Sequence, residues 1–158
     1  MLKLNNSELY NLLNKKPAGQ YINNGYGREY LKIIPDPKLW QYAFSLFNLK
    51  DIYPEISIGT FYGVHYLDGA HTHQHKDLTN DTSLVHVRCN TLIKKPNIGG
   101  NPIINNKEYN VLERDSWLLF ASLHEHASTP IVGGTREIYS FGALVPYTSI
   151  PKEYLTAY

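Results

Sequence analysis

Apolar residues recur at helical spacing in two short stretches of the first fifty positions. In the first stretch, Ser7 can cap a helix that continues to Leu13, and the segment Pro-Ala-Gly at 17–19 ends it. In the second stretch Pro37 follows Asp36, and apolar residues then stand three and four positions apart: Leu39, Trp40, Ala43, Leu46 and Phe47. The pattern predicts helices over 8–13 and about 36–47, with a loop over 21–27 between them.

Beyond Pro54 the pattern changes to short β-branched and aromatic runs, with Gly, Pro or Asn between them. Such a pattern is typical of an antiparallel sandwich or barrel. Strands are predicted near 56–66, 71–77, 84–94, 102–104, 107–113, 116–121, 124–131 and 136–145, and the strongest turns fall at 95–102 and 132–135. We therefore expect a mainly β (α+β) chain that forms a jelly roll with the N-terminal helices packed on it.

Composition limits the class of protein. The chain has 158 residues, a net charge of +1 and one cysteine, Cys89. This length supports a core without disulfides or structural zinc, so we expect a single domain over 1–158, with a helical segment over 1–52 and a β core over 53–147. Scattered basic residues disfavour a nucleic-acid partner, and the absence of a signal peptide or a long apolar run predicts a cytoplasmic protein without membrane contact.

Histidines and a carboxylate are concentrated in one segment. His71, His73, His75 and Asp77 alternate with other residues, so in a strand they would share one face. His75 and Asp77 are two good metal ligands only two residues apart, and His124 or His126 offers a third. Two imidazoles and one carboxylate around open coordination positions form the ligand set of non-haem Fe(II) oxygenases.

A possible carboxylate anchor follows these histidines. A buried arginine such as Arg136, ten residues after His126, can bind a carboxylate through two parallel hydrogen bonds. Ser140 has the same strand parity and could add a hydroxyl donor. Each feature alone has an ordinary explanation, because His-x-Asp is common by chance, histidines occur on solvent faces and most arginines are solvated or ion-paired. Their order along the chain is harder to obtain by accident.

The order of these residues matches a known family pattern. In that pattern a glycine stands six residues before the first ligand, which belongs to a His-x-Asp motif. A strand then leads into a Gly-Gly turn, and a strand of Leu-Leu-Phe type follows. A distal His comes next, with a Pro four residues after it and a basic residue ten residues after it. The matching positions here are Gly69, His75, Asp77, Val87-Arg-Cys-Asn-Thr-Leu-Ile93, Gly99-Gly100, Trp117-Leu-Leu-Phe120, His126, Pro130 and Arg136. The segment from about Tyr66 to Val145, half of the chain, thereby resembles the 2-oxoglutarate and Fe(II)-dependent oxygenases, particularly the branch similar to prolyl hydroxylases.

The resemblance implies a double-stranded β-helix and a set of roles. It implies His75, Asp77 and His126 as ligands of Fe(II), and Arg136 with Ser140 as the site for the distal carboxylate of 2-oxoglutarate. Many relatives also have a tyrosine that holds this co-substrate, and here Tyr62, Tyr66 or Asn90 is a candidate for its role. The implied reaction uses O2, releases succinate and CO2, and hydroxylates an aliphatic carbon. The presence of Asp77 argues against the halogenase variant, which lacks the carboxylate ligand.

Substrate contacts are expected on the strand before the Gly-Gly turn. His86, Arg88 and Asn90 share one face there, and we expect His86 and Arg88 to contact substrate, although pairing of Arg88 with a carboxylate is an equal alternative. Little chain lies outside the β core, so the expected substrate is a small molecule or a peptide, with an amino-acid or peptidyl side chain favoured by the resemblance. The alternative function is a cupin-type metal-binding or ligand-binding protein without oxygenase activity, and a buried Arg136 facing the metal would favour the oxygenase.

Overall fold

Two antiparallel sheets and two main helices form the part of the chain that the computed structural model describes, residues 1–53 and 59–158. The helices are α1 (Ser7–Leu13), α2 (Pro37–Ser45) and α3 (Lys152–Leu155), and a 3-10 turn covers Tyr147–Ser149. The strands are β1 (Lys3–Asn5), β2 (Ile22–Gly25), β3 (Arg28–Ile33), β4 (Thr60–His65), β5 (Leu84–Lys94), β6 (Pro102–Ile104), β7 (Lys107–Glu108), β8 (Asp115–Phe120), β9 (His126–Ser128) and β10 (Arg136–Pro146). In these two ranges no helix has both the length and the apolar character needed to cross a membrane.

The large sheet has the strand order β1-β8-β5-β10-β4-β3-β2, and the small sheet has the order β7-β6-β9. Every pairing between these strands is antiparallel, and an isolated bridge between His75 and His126 extends the small sheet. The arrangement is a jelly roll, or double-stranded β-helix, and it confirms the fold expected from the sequence.

The two faces of the large sheet have different partners, because side chains alternate along each strand. One face packs against α1 and α2, where Phe44 and Trp40 meet strand residues such as Val87 and Phe141 in one apolar core. Trp40 also donates its Nε1 hydrogen to the carbonyl of Gly142 in β10, at 2.9 Å. The opposite face, which carries the polar residues of β5, is turned toward the small sheet.

The helices begin close to where the sequence places them. The carboxylate of Asp36 caps α2 by accepting from the backbone N–H groups of Lys38 and Leu39. For α1 the predicted cap is wrong: Asn6, not Ser7, accepts from the N–H of Leu9, and Ser7 is already helical. Both side chains can cap a helix, so the sequence could not tell which of these neighbours takes the position.

The predicted loop over 21–27 is largely a hairpin, since β2 covers 22–25 and leads into β3. Asn-rich β2 has no apolar alternation, and β3 is held mainly by pairing with β4, a long-range contact that local patterns do not report. Strand β4 confirms the predicted strand over 60–65, while 56–58 lie outside the described residues.

Three predicted strands are shorter than expected or absent. The segments predicted over 107–113 and 124–131 form strands only at Lys107–Glu108 and His126–Ser128. The segment 71–77 is not a strand, because only His75 forms a bridge, and the N–H of Thr72 donates to the Ser128 hydroxyl rather than to a ladder partner. The argument that four side chains of 71–77 share one strand face is therefore wrong.

Candidate metal centre

Three of the predicted ligands meet at one point. One ligand atom from each of His75, Asp77 and His126 lies within 4.8 Å of the other two. Asp77 Oδ1 is 3.3 Å from His75 Nε2 and 3.6 Å from His126 Nε2. The bridge between His75 and His126 holds the two imidazoles side by side, with ring centroids 4.2 Å apart. Of the alternatives left open by spacing, His126 and not His124 lies in this cluster.

The backbone selects the ring nitrogen that each histidine presents. His75 Nδ1 is 2.7 Å from the carbonyl oxygen of His73, and His126 Nδ1 is 3.0 Å from that of His124. A carbonyl oxygen can only accept, so each Nδ1 carries the hydrogen and each Nε2 keeps its lone pair. The two lone pairs and the Asp77 carboxylate form the donor set that a divalent transition metal takes from proteins.

The second oxygen of Asp77 is held from the other side. His86 Nδ1 lies 2.9 Å from Oδ2, and the Arg88 Nε–H donates to Oδ2 at 3.4 Å. Burial by itself would raise the pKa of Asp77, but the adjacent imidazoles of His126, His75 and His86 and the charge of Arg88 outweigh burial and lower it. Asp77 is therefore ionised at neutral pH and fixed in orientation.

The cluster opens into a cavity of about 490 Å³ between the two sheets. Its apolar walls come from both sheets and include Ile104, Trp117, Leu119 and Ile138. Polar side chains also line it: His65, His75, Asp77, Arg88, Asn90, His126, Ser128 and Arg136. Metal ligands and cationic side chains thus border one space of the size that small-molecule sites usually have.

Arg136 lines this cavity and is only 6% exposed. Its Nε–H donates to the carbonyl oxygen of Gly100 at 2.8 Å, and no described residue gives its guanidinium an acidic partner. Burial lowers the pKa of Arg136 to about 10, which leaves it charged at neutral pH. A buried cation of this kind is costly unless an anion joins it.

The other predicted site residues divide into two groups. Asn90 lines the cavity, and Arg88 lies against Asp77 with its guanidinium over the Phe61 ring, so the pairing of Arg88 with a carboxylate is observed. Ser140 is buried and accepts from Arg88 Nη1 at 3.4 Å. His86 contacts Asp77, and neither Ser140 nor His86 is among the described residues that line the cavity.

Neither candidate tyrosine lies in the cavity. Tyr66 follows β4, is 36% exposed and is absent from the described residues of the cavity wall. Tyr62 points to the opposite face of the sheet, where its hydroxyl donates to Glu137 at 2.6 Å. Of the N-terminal aromatic residues, Tyr30 lines the cavity and Trp40 belongs to the core.

His65 is a cavity residue that the sequence reasoning missed. It lies at the end of β4 with the same parity as Phe61 and Gly63, which also line the cavity. From the sequence, its position in a predicted strand indicates only which residues share its face of the sheet. That signal is weak without the pairing of β4 with β10.

Comparisons with known proteins place the fold among solved structures. No family model and no curated protein matches this chain. The viral collagen prolyl hydroxylase of Paramecium bursaria Chlorella virus-1, solved as a 2OG complex, is similar with a TM-score of 0.59 and 14% identity, over 75% of this chain and 78% of that one. HygX from Streptomyces hygroscopicus, with nickel and 2-oxoglutarate bound, gives a TM-score of 0.56 and 12% identity, over 81% and 74%. A prolyl-4-hydroxylase from Pseudomonas putida gives a TM-score of 0.52 and 16% identity, over 75% and 72%. At these identities the likeness establishes the shared fold.

Proposed function

We propose that this protein is a 2-oxoglutarate- and Fe(II)-dependent dioxygenase that hydroxylates an aliphatic carbon and releases succinate and CO2. The observation that carries the proposal is the combination of Arg136 and the His75, Asp77 and His126 cluster in one cavity. A metal-binding protein has no need of a buried guanidinium without an acidic partner. A co-substrate with a carboxylate at each end of a short chain explains both features.

The residues fit the metal. Two Nε2 lone pairs and one carboxylate oxygen converge, and three protein ligands leave coordination positions open for a chelating co-substrate and O2. When bound, Fe(II) supplies the binding of the 2-oxo acid and the activation of O2. The carbonyl groups of residues 73 and 124 orient the two imidazoles, and His86 and Arg88 orient Asp77.

The co-substrate is held at its far end by Arg136. The hydrogen bond from Nε to the Gly100 carbonyl fixes the direction of the guanidinium. Its remaining N–H groups are available for a bidentate pair with the distal carboxylate. Asn90 lies on the same sheet face, directly opposite Ser140 in the pairing of β5 with β10, and is the candidate for a further co-substrate contact. The apolar walls exclude water, which strengthens both the ion pair and the hydrogen bonds.

The substrate is an amino-acid or peptidyl side chain. The cavity volume leaves room for a side chain beside 2-oxoglutarate, and Arg88 and Tyr30 are the candidates for contact with it. Two of the similar structures are prolyl hydroxylases, which favours this substrate class. The chain works as one domain, in which the segment 1–52 adds strands β1 to β3 and helices α1 and α2 to the β core of 53–147.

Aerobic incubation with Fe(II) and 2-oxoglutarate tests the proposal. We expect succinate to form, at a rate raised by the correct member of a panel of free amino acids and proline-containing peptides. Asp77→Ala should abolish succinate formation. Arg136→Ala should form succinate only at high 2-oxoglutarate concentration. Iron bound at His75, Asp77 and His126 without any binding or consumption of 2-oxoglutarate would instead favour the cupin-type metal-binding protein.

A further inference from the structure

His65 occupies the same end of the cavity as Arg136. In the pairing of β4 with β10, Arg136 lies directly opposite His65, and in the pairing of β3 with β4, Arg28 lies opposite His65 on the other side. Side chains at directly opposite positions of an antiparallel pair have Cβ atoms about 4.5–5.5 Å apart on the same face. The three side chains therefore form a row across one end of the cavity, with the imidazole in the middle.

The imidazole of His65 has no hydrogen-bond partner among the described residues. The residue is 7% exposed, and its Nδ1 is fully buried. A buried polar atom without a partner costs free energy that a paired atom does not, so such atoms are uncommon. Because Nδ1 has no surface open to the cavity, Nε2 is the ring nitrogen that a ligand there can reach. His65 thus lines the cavity with an imidazole that has no hydrogen-bond partner within residues 1–53 and 59–158.

The two arginines in the row differ in what they can still bind. The Arg28 side chain donates to the backbone carbonyl groups of Asn24, Gly25 and His71, which ties β3 to the segment before the metal ligands. Within the described residues, the Arg136 side chain hydrogen-bonds only through Nε, to the Gly100 carbonyl. Burial, followed by the charges of Arg136, Arg28 and His71, lowers the pKa of His65 to about 3, so the imidazole is neutral and keeps one N–H donor at physiological pH.

We infer that His65 is a co-substrate-binding residue, whose imidazole N–H donates to the distal carboxylate of the 2-oxo acid that Arg136 holds. The inference rests on the proposed function and adds a second protein contact to that carboxylate. It assigns to His65 the contact that Tyr62 and Tyr66 do not provide. It also makes His65 a determinant of selectivity, because a 2-oxo acid without the distal carboxylate gains nothing from it.

Anaerobic titration of the Fe(II)-loaded protein with two 2-oxo acids tests the assignment. The acids are 2-oxoglutarate and 2-oxopentanoate, which has the same chain length without the distal carboxylate, and the charge-transfer band of the chelate reports binding of each. A hydrogen bond to a charged group predicts that His65→Phe weakens 2-oxoglutarate binding about 10-fold or more and leaves 2-oxopentanoate binding unchanged. His65→Gln retains a donor and should recover most of the 2-oxoglutarate affinity.

The outcomes separate the inference from the function on which it rests. Equal weakening of both acids by His65→Phe would assign His65 a purely structural role, and unchanged binding of both would exclude the contact; either result overturns the inference while the proposed function stands. If the wild-type protein gives no band with either acid although iron is bound, the proposed function fails and the inference with it. Metal content measured for each variant shows that the iron site is intact.

Discussion

The two oxygens of Asp77 serve different partners. Oδ1 faces the Nε2 atoms of His75 and His126, while Oδ2 faces His86 Nδ1 and Arg88 Nε. A carboxylate held from behind cannot rotate away when it is the ligand of a metal. For His86, which was expected to contact substrate, this contact supports the proposal that it positions Asp77.

Replacing His86 tests that positioning role. Residues that orient a metal ligand typically contribute 10–100-fold to metal affinity, so we expect His86→Phe to weaken Fe(II) binding about 10-fold. His124→Phe is the matched control, because His124 is also buried but packs on Phe120 and Tyr158 instead of on Asp77. Competition with a metal-binding dye measures both constants, and equal loss in the two variants would contradict the role of His86.

The assignment of ligands predicts a clear difference within one short segment. His75→Ala should lose Fe(II) binding, whereas His71→Ala and His73→Ala should retain it, because their side chains contact each other and not Asp77. Metal content after gel filtration measures the difference. Loss of iron in the His71 or His73 variant with retention in the His75 variant would show that another histidine is the ligand.

His65 should make the metal-free protein sensitive to acid. The pKa of His65 is about 3 in the folded state and 6.5 in the unfolded state. As the pH falls, the unfolded state therefore binds a proton at a higher pH than the folded state does. The stabilisation that is present above pH 6.5 is lost as the pH falls toward 3. Between pH 7 and pH 5 the free energy of unfolding should fall by about 2 kcal/mol more in the wild type than in His65→Phe. Urea unfolding of both proteins at both pH values measures these free energies. Equal losses in the wild type and in His65→Phe would contradict the prediction.

At the scale of single residues, the spacing singled out His75 with Asp77 and left His124 and His126 open as the third ligand. The family resemblance selected His126 and Arg136, and the structure brings these residues to one cavity. The placement of His65 opposite Arg136 and of His86 beside Asp77 depends on contacts between segments that are far apart in the chain, so no local pattern reports it. Tyr66 was one of three candidates for the co-substrate tyrosine, and in the structure it is 36% exposed.

Among the elements, β10 and the turn at 99–100 together fix the position of the Arg136 side chain. The strand places Arg136 opposite His65, and the Gly100 carbonyl accepts from its Nε. Gly99 and Gly100 have φ values of 75° and 73°, and a Cβ on Gly100 would lie 3.0 Å from Arg136 Cδ. The Gly-Gly turn is therefore needed both for its left-handed backbone and for the close approach of the arginine.

Two glycines with the same backbone angle allow the effect of the left-handed backbone to be separated from the effect of close contacts. Gly25 and Gly99 both have φ 75°, but a Cβ on Gly25 would meet nothing within 4 Å, whereas one on Gly99 would lie 1.8 Å from the Pro130 carbonyl oxygen. We expect Gly25→Ala to cost about 1–2 kcal/mol of stability through backbone strain alone. Gly99→Ala should cost several times more; equal losses in thermal unfolding would show that the turn at 99 can move.

The elements themselves were predictable to differing degrees. Strand β5, strand β10 and helix α2 have the apolar periodicity of buried elements and were expected close to their observed bounds. Strands β1 to β3 were missed because they are short or polar and owe their form to pairing partners. Segment 71–77 alternates like a strand, but only His75 forms a bridge in it, and the Nδ1 atoms of His71 and His75 lie against carbonyl groups two residues earlier.

In the whole molecule the core and the metal centre occupy opposite faces of the large sheet. The core lies between that sheet and helices α1 and α2, and it contains none of the three ligands. We therefore expect folding not to depend on the metal, in contrast to small zinc-folded domains. The face toward the small sheet is left for binding.

Removal of metal should accordingly leave the fold intact. With a chelator, we expect an unchanged far-ultraviolet circular dichroism spectrum and a cooperative thermal transition. Metal at 100 times its dissociation constant should add about 2.7 kcal/mol to the free energy of unfolding, the amount set by mass action. Loss of the cooperative transition on chelation would show that the metal is part of the core stability.

The central claim is that one cavity binds Fe(II) and chelates a 2-oxo dicarboxylate on it. Anaerobic titration of the Fe(II)-loaded wild type with 2-oxoglutarate tests it most directly, since bidentate chelation gives a weak visible charge-transfer band. We predict a saturable band in the wild type and, in Arg136→Ala, the same band only at much higher 2-oxoglutarate concentration. Iron bound at His75, Asp77 and His126 with no band at any concentration would contradict the claim.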